Sequence, residues 1–131
     1  MKMNIKKMAM LAALTGAFSI SAVAQAADTV AFLMPDQAST RYEQHDYPGF
    51  KAEMSKLCSS CKVIYQNANG DIALQQQQFN SVITQGAKVI VLDPVDSSAA
   101  ASLVSLAQSQ GIKVIAYDRP IPGKQADYYV S

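Results

Sequence analysis

The sequence predicts an α/β protein built on a doubly wound parallel sheet. Short apolar runs recur along residues 29–130, and segments with helical periodicity separate them. The runs are apolar nearly throughout rather than alternating, as expected of strands that are covered on both faces. Strands that alternate with helices form parallel sheets, and we expect the strand order 2-1-3-4.

The first strand is predicted at 29–34, and a loop leads from it to the first helix. Thr40 and Glu43 have the spacing of a capping box, which places the helix start at Arg41. Pro48 should kink or restart this helix, because it has no N–H to donate. Apolar spacings of three and four around it predict one buried stripe. Its members are Tyr47, Phe50, Met54 and Leu57.

Two more strand–helix units follow. Their strands are predicted at 63–65 and 89–92, and a fourth strand at 113–117 and a short last strand near 127–130 come after them. Asp71 is expected to cap the second helix, and Gly86 to end it. Ser97 or Ser98 is expected to cap the third helix, which ends at Gly111. The predicted buried positions are Leu74, Phe79, Val82 and Ile83 in the second helix and Leu103, Val104 and Leu106 in the third.

Residues 1–26 have the three parts of a cleavable secretory signal peptide. Lys2, Lys6 and Lys7 precede an apolar run, and the small-x-small pattern at 24–26 places cleavage after Ala26. The alternative is a membrane anchor, but the run is shorter than the roughly 20 apolar residues that a span needs. Because no cysteine near the cut could carry a lipid, we expect the mature protein to be free in the periplasm.

Composition narrows the classes of function. The net charge is +1, and three of the eleven basic residues lie in the predicted leader, so the mature segment is mildly acidic and nucleic-acid binding has no support. The segment is long enough for one small domain. The single histidine, His45, is expected to be solvated, and no metal-ligand spacing or phosphate-binding glycine loop is present. We therefore expect neither a metal nor a cofactor.

Polar candidates gather where the predicted strands end. Ligands of doubly wound sheets bind beyond the carboxyl ends of the strands, where the strand order reverses. Asp93 ends the third strand, and Asp118 and Arg119 directly follow the fourth. A carboxylate acceptor beside a five-donor guanidinium suits a ligand rich in hydroxyls. The alternative is a surface ion pair, which contributes little.

The start of the first helix adds candidates to the crevice that these strand ends are expected to line. Tyr42 offers a flat face that can stack on a sugar ring and a hydroxyl that can hydrogen-bond, and Arg41 precedes it. The competing interpretations are a core role for Tyr42 and a solvated Arg41. Ser39 and Asp36, in the loop after the first strand, are weaker candidates.

Cys58 and Cys61 have the spacing of a redox pair but not its position. Reactive pairs lie at helix N-termini, where the helix dipole lowers the thiol pKa. This pair follows the end of a helix. In an oxidising compartment we expect a local structural disulfide rather than a catalytic pair.

Three stretches, at 65–71, 91–96 and 115–120, resemble a known family. From residue 30 to 131 the chain resembles the N-terminal part of the periplasmic sugar-binding proteins of ABC importers, in the ribose/xylose class, and most of all the D-xylose-binding type. The resemblance implies that Asp118 and Arg119 hydrogen-bond sugar hydroxyls and that Tyr42 and Arg41 match the family's aromatic residue and arginine. It also implies a monomeric binding protein without catalysis, whose partner is the membrane permease of an ABC transporter.

Length is the departure from this family, whose members enclose the sugar between two hinged lobes. The 131 residues imply a signal peptide at 1–26 and a truncated N-terminal lobe at 27–131, which should bind weakly by itself. Two alternatives stay open: a sensor that presents a sugar or an autoinducer to a membrane receptor, and an exported enzyme on the same scaffold. A related repressor would carry a helix-turn-helix where this chain carries its leader.

Overall fold

A parallel sheet forms the centre of the computed structural model, which describes residues 27–131; the predicted signal peptide lies outside the described residues. The sheet order is β2-β1-β3-β4-β5, and every neighbouring pair is parallel. The strands are β1 (Thr29–Met34), β2 (Lys62–Asn67), β3 (Ala87–Leu92), β4 (Lys113–Tyr117) and β5 (Tyr128–Val130). The α/β class and the strand order 2-1-3-4 are confirmed, and β5 extends the sheet beside β4.

Helices cover both faces of the sheet. They are α1 (Tyr47–Leu57), α2 (Ile72–Thr84) and α3 (Ser97–Ser109). In β1, Ala31 and Leu33 belong to the core with α2 and α3, whereas Phe32 and Met34 belong to the core beside α1. Successive strand residues point to opposite faces, so both sets are buried and the strand reads as an unbroken apolar run.

The core beneath α2 and α3 is the larger one. Phe79, Val82, Leu103 and Val104 are buried there as predicted. The prediction for Leu106 is wrong, because its side chain is 38% exposed. The small residues Ala100 and Ala107 occupy the buried face of α3 instead, which lets the helix approach the sheet closely.

The first helical segment changes type before α1. A π-helical turn spans Tyr42–Asp46, and the Tyr47 N–H donates to the carbonyl of Tyr42, five residues back. Pro48 follows at the start of α1 and cannot donate, so the predicted interruption takes the form of this change in hydrogen bonding. The predicted capping box is wrong, since the Glu43 carboxylate accepts from Tyr65 and Asn67 across the crevice.

The predicted stripe on α1 is only half-buried. Tyr47 and Phe50 pack against Phe32 of β1, but Leu57 is 82% exposed, so that prediction is wrong. Leu57 is the last residue of α1, beyond the aromatic cluster that the helix covers. An open apolar groove of about 350 Å³ lies between α1 and the strands β3 to β5, lined in part by Val91 and Ile115.

Capping confirms one helix start and corrects another. The Asp71 carboxylate accepts from the Leu74 N–H at 2.9 Å, as predicted for α2. For α3 the cap is Asp96, whose carboxylate accepts from the Ala99 N–H at 2.7 Å, and not Ser97 or Ser98. Asp96 has the extended backbone of an N-cap, whereas both serines already lie in the helix.

A disulfide joins Cys58 and Cys61 in the turn between α1 and β2. The Cys61 N–H also donates to the Cys58 carbonyl at 3.0 Å, so the turn is held by both links. Within residues 27–131, none of the helices has the length and apolar character needed to cross a membrane.

The capping assignment makes a first prediction. Replacing Asp96 by Ala should lower the free energy of unfolding by about 1 kcal/mol, because the Ala99 N–H loses its partner. Ser97→Ala and Ser98→Ala should each change it by less than about 0.5 kcal/mol. Urea denaturation of the three variants measures these differences. A larger loss in either serine variant than in Asp96→Ala would contradict the assignment.

Candidate functional site

The carboxyl ends of β1, β3 and β4 meet at one edge of the sheet. The Asp93 N–H donates to the Leu33 carbonyl at 2.9 Å, which holds the end of β3 against the end of β1. Arg119 lies just past the end of β4, and its side chain reaches across to both neighbours. The strand order therefore brings together residues that are up to 83 positions apart in the chain.

Arg119 makes the connections across this edge. Its Nη1 donates to the Pro94 carbonyl at 3.0 Å, and its Nη2 donates to Asp36 Oδ2 at 3.1 Å. Its Nε lies 3.6 Å from Asp93 Oδ1, an ion-pair distance that is too long for a hydrogen bond. The side chain is partly exposed, so some of its five N–H donors remain free for a ligand.

Asp118 has a left-handed backbone conformation, with φ of 60°, which is uncommon for a residue other than glycine. Its N–H donates to the Val130 carbonyl and thereby ties the turn to β5. Its carboxylate accepts from Arg41 Nη2 and from the Tyr42 hydroxyl, each at 2.9 Å. The hydrogen bonds from Arg41 and Tyr42 hold the pKa of Asp118 below its usual value, so it is ionised and can accept further hydrogen bonds.

The structure corrects the role expected for Tyr42. Its side chain is 3% exposed and packs in the core with Phe32, Met34 and Val91, so its ring cannot stack on a ligand. The competing interpretation of Tyr42 as a core residue is the one the packing supports. Burial and the acceptor Asp118 raise the pKa of its hydroxyl, which therefore stays protonated and keeps donating.

Arg41 lies at the rim of the crevice rather than free in solvent. Its Nε pairs with Asp46 at 3.0 Å while its Nη2 pairs with Asp118, and its guanidinium lies 5.2 Å from the centre of the Tyr42 ring. Its partner Asp46 lies in the π-helical turn. Residue 46 was missed because nothing in its spacing distinguishes it from other polar helix residues.

Asp93 differs most from the expectation of direct ligand contact. The residue is fully buried, and within the described part of the chain neither carboxylate oxygen has a hydrogen-bond partner. Burial raises its pKa to about 7, and the charge of Asp118 adds to this, while Tyr42, Arg119 and Arg41 oppose it. Asp93 has no exposed surface, and its Oδ1 lies 3.6 Å from Arg119 Nε, so the carboxylate faces that side chain rather than the open crevice.

Asp36 has a larger part in the site than the sequence indicated, since it is a hydrogen-bond partner of Arg119. Its backbone carbonyl also accepts from the amide of Asn67, at the end of β2. Ser39 is half-buried in the same loop, where its carbonyl accepts from the Tyr42 N–H at 3.3 Å. The crevice therefore extends from β4 to β2 along the edge of the sheet.

Sequence reasoning missed Gln75. This residue of α2 is 3% exposed, and its side-chain amide hydrogen-bonds the backbone of Asp93 and Val95. Its position gave a signal that was not used: Gln75 lies four residues before Phe79, on the same helix face. A polar side chain at a core position normally has a specific partner.

The chemistry of the crevice is that of hydrogen bonding. It presents an ionised carboxylate, two guanidinium groups and several amide and carbonyl groups on rigid strand ends. Asp118 can accept and Arg119 can donate within one small area, which suits groups that do both. Over residues 27–131, no group of three or more His, Cys, Asp or Glu side chains could hold a metal ion.

Solved structures with the same architecture define the class of fold. An ABC transporter solute binding protein from Clostridium phytofermentans with bound β-D-glucose matches with a TM-score of 0.71 and 28% identity, over 78% of this chain and 31% of that one. A carbohydrate transporter solute binding protein from Chloroflexus aurantiacus in complex with D-glucose matches with a TM-score of 0.69 and 30% identity, over 78% and 29%. The described residues thus have the α/β fold of type I periplasmic binding proteins, although they form only part of such a structure.

Sequence comparison identifies the family. Residues 30–131 match the periplasmic binding protein domain, and the chain belongs to that family. The D-xylose-binding periplasmic protein of Escherichia coli is 39% identical over 70 residues, which cover 53% of this chain and 21% of that protein. The multiple sugar-binding periplasmic receptor ChvE of Rhizobium radiobacter is 33% identical over 123 residues, which cover 92% and 34%. These relatives and structures are binding proteins, not enzymes.

The buried carboxylate gives a prediction for stability against pH. The pKa of Asp93 in the folded protein, about 7, lies above its ordinary value of 3.8. The folded state therefore holds the proton more tightly, and this residue lowers stability progressively as pH rises from about 4 to 7. Asp93→Asn should match the wild type near pH 4 and be more stable by about 4 kcal/mol at pH 8.

Thermal or urea unfolding at several pH values measures this difference. Asp28→Asn is a matched control, because it removes the same charge from an exposed position at the start of the sheet, and the Asp93→Asn difference should exceed it at pH 8. An Asp93→Asn difference that does not grow with pH would show that burial does not raise the pKa of Asp93 in the folded protein.

Proposed function

We propose that this chain forms the N-terminal lobe of a monosaccharide-binding protein, which captures the sugar in the periplasm for an ABC importer. The single observation that carries the proposal is the pairing of Asp118 and Arg119 at the carboxyl edge of the sheet. One offers an ionised acceptor and the other offers charged donors, and both are partly exposed. A vicinal pair of sugar hydroxyls can donate to the first and accept from the second.

The remaining contacts support this role. Asp118 already accepts one hydrogen bond on each carboxylate oxygen, yet a carboxylate has about four lone-pair positions. Arg41, Tyr42, Asp36 and Asp93 then act mainly by holding the two binding groups in place. Ser39 borders the crevice from the loop after β1. Such preorganisation lowers the entropic cost of binding.

The length of the chain limits what it does alone. It spans 21% to 38% of the length of the relatives described by sequence comparison. We infer that the other half of the sugar's hydrogen bonds comes from a second lobe, as in binding proteins that close about a hinge. The lobe formed by residues 27–131 should therefore bind sugar weakly, in the millimolar range.

A pentose such as D-xylose is the proposed ligand, since two D-xylose-binding proteins are 39% and 40% identical to the chain over 70 residues. Two other relatives carry names that describe multiple sugar binding, so hexoses are the first alternative to test. The sensor and enzyme alternatives are not favoured by any contact in the crevice. No nucleophile paired with a base lies there among the described residues.

The proposed compartment is supported by relatives whose names describe periplasmic proteins, and the proposed partner by the similar structure of an ABC transporter solute binding protein. In this proposal residues 1–26 direct export and are removed after Ala26, and the mature protein delivers sugar to a membrane permease as a monomer. The Cys58–Cys61 disulfide agrees with an oxidising compartment.

Titration with sugars tests the proposal. Amide NMR shifts of the chain should follow added D-xylose, L-arabinose, D-ribose and D-glucose, with saturation for at least one of them. Arg119→Ala should weaken the strongest interaction by at least about tenfold, because it removes charge-assisted hydrogen bonds and leaves Asp93 and Asp36 without their cation.

Lys113→Ala is the matched control. It also removes one positive charge next to β4, but Lys113 lies at the opposite end of that strand and pairs with Asp127. Its affinity should equal that of the wild type. If none of the sugars shifts the resonances of a chain that remains folded, the proposal is overturned. An equal loss of affinity in Arg119→Ala and Lys113→Ala would overturn it as well.

A further inference from the structure

Gln75 is a buried polar residue that the proposed sugar contacts do not include. It lies in α2, which packs on one face of the sheet, whereas the crevice lies at the sheet's edge. Its Nε2 donates to the Asp93 carbonyl and its Oε1 accepts from the Val95 N–H, both at 2.9 Å. A single side chain therefore closes both ends of a three-residue turn.

That turn carries the groups that hold Arg119. The Pro94 carbonyl, in the middle of the turn, accepts from Arg119 Nη1 at 3.0 Å. The Asp93 carboxylate, at its start, lies 3.6 Å from Arg119 Nε. Pro94 has no N–H, and the Asp93 N–H is used by β1. Among the described residues, the other two backbone groups of the turn, the Asp93 carbonyl and the Val95 N–H, are both bonded by Gln75.

We propose that Gln75 is a positioning residue for the sugar site: it fixes the turn at residues 93–95, and the turn fixes the direction of the Arg119 guanidinium. The expected change in sugar affinity rests on the proposed function. The expected change in the direction of the Arg119 guanidinium rests on the structure alone. The effect passes from Gln75 in α2, through the backbone of residues 93–95, to the side chain of Arg119 after β4.

Burial is the reason that this contact matters. An amide that is 3% exposed sheds its water on folding, so its two hydrogen bonds offset the cost of placing a polar group in the core. The glutamine therefore specifies the turn rather than filling space.

The same helix offers a matched control in Gln78. Its Nε2 donates to the Asn67 carbonyl at 2.9 Å, so it also bonds a side-chain amide to a strand-end backbone group. Asn67 ends β2 and contacts neither Arg119 nor residues 93–95 directly. Gln78→Met removes one hydrogen bond from the same helix, where Gln75→Met removes two, and it leaves residues 93–95 untouched.

The test compares Gln75→Met with Gln78→Met by two measurements on the chain. The first is affinity for D-xylose, which we expect to fall roughly five- to tenfold in Gln75→Met, about the effect of one lost hydrogen bond, and to stay unchanged in Gln78→Met. The second is the Nε–Hε resonance of Arg119 without sugar, which should shift or broaden in Gln75→Met only. If Gln75 had only a structural role, both variants would be less stable and the Arg119 resonance would not change.

Gln75→Glu covers the case in which Gln75→Met does not fold. It keeps the shape of the side chain and the acceptor for the Val95 N–H, but its ionised form cannot donate to the Asp93 carbonyl. It should move the Arg119 resonance and weaken sugar binding. Unchanged affinity and an unchanged resonance in a folded Gln75 variant would overturn the inference.

Failure of the proposed function gives a different pattern. If the wild type binds none of the sugars while the Arg119 resonance still moves in the Gln75 variants alone, the positioning role holds and the sugar proposal falls. If the wild type binds sugar and the Gln75 variants bind equally well, the sugar proposal holds and the positioning role falls.

Discussion

Arg119 joins the ends of three parallel strands, and the candidate site depends on that connection. Its guanidinium bonds Asp36 after β1 and Pro94 after β3, while its own backbone continues from β4. Beneath it lies a fully buried carboxylate, Asp93, whose pKa is raised to about 7. Burying a carboxylate without a hydrogen bond is unfavourable, so the fold is less stable at this edge of the sheet. In exchange, Arg119 is held in a defined place. Residues that bind ligands often show this trade between stability and function.

The neighbouring Asp118 is held in place by equally local means. It has a left-handed backbone, and its carboxylate is held by Arg41 and Tyr42. Both partners come from the start of the first helical segment. A π-helical turn lies there, just before Pro48, which cannot donate to an α-helical pattern. Strand ends and one helix start thus place an acceptor and a donor side by side. Because regular elements hold both side chains, this part of the proposed site is formed before a ligand arrives.

The sequence was sufficient for the sheet order and for the location of the crevice. Apolar runs and helix spacing determine which elements form, and the reversal of strand order determines where polar ends meet. How deeply each side chain is buried was harder to predict from the sequence. Tyr42 and Asp93 follow the pattern of ligand contacts, yet both are buried, since how far a side chain lies beneath its neighbours depends on packing between distant segments. Two leucines that match the helical period are exposed instead: Leu57 lies at the end of α1, beyond the aromatic cluster, and Leu106 lies to one side of the buried face of α3. Gln75 was overlooked because it stands in a run of glutamines at 75–78, and it was not distinguished from the others as the one that faces the core.

The most direct test is a map of the amide NMR shifts that D-xylose causes along residues 27–131. The proposed site predicts shifts centred on Asp36, Asp118 and Arg119, with smaller ones at Arg41 and in the 93–95 turn. A second cavity, of about 260 Å³, lies between β5 and the loop before it and is lined by Ile121 and Tyr129. Shifts centred on that cavity, with none at Asp118 and Arg119, would contradict a sugar site at the carboxyl edge of the sheet.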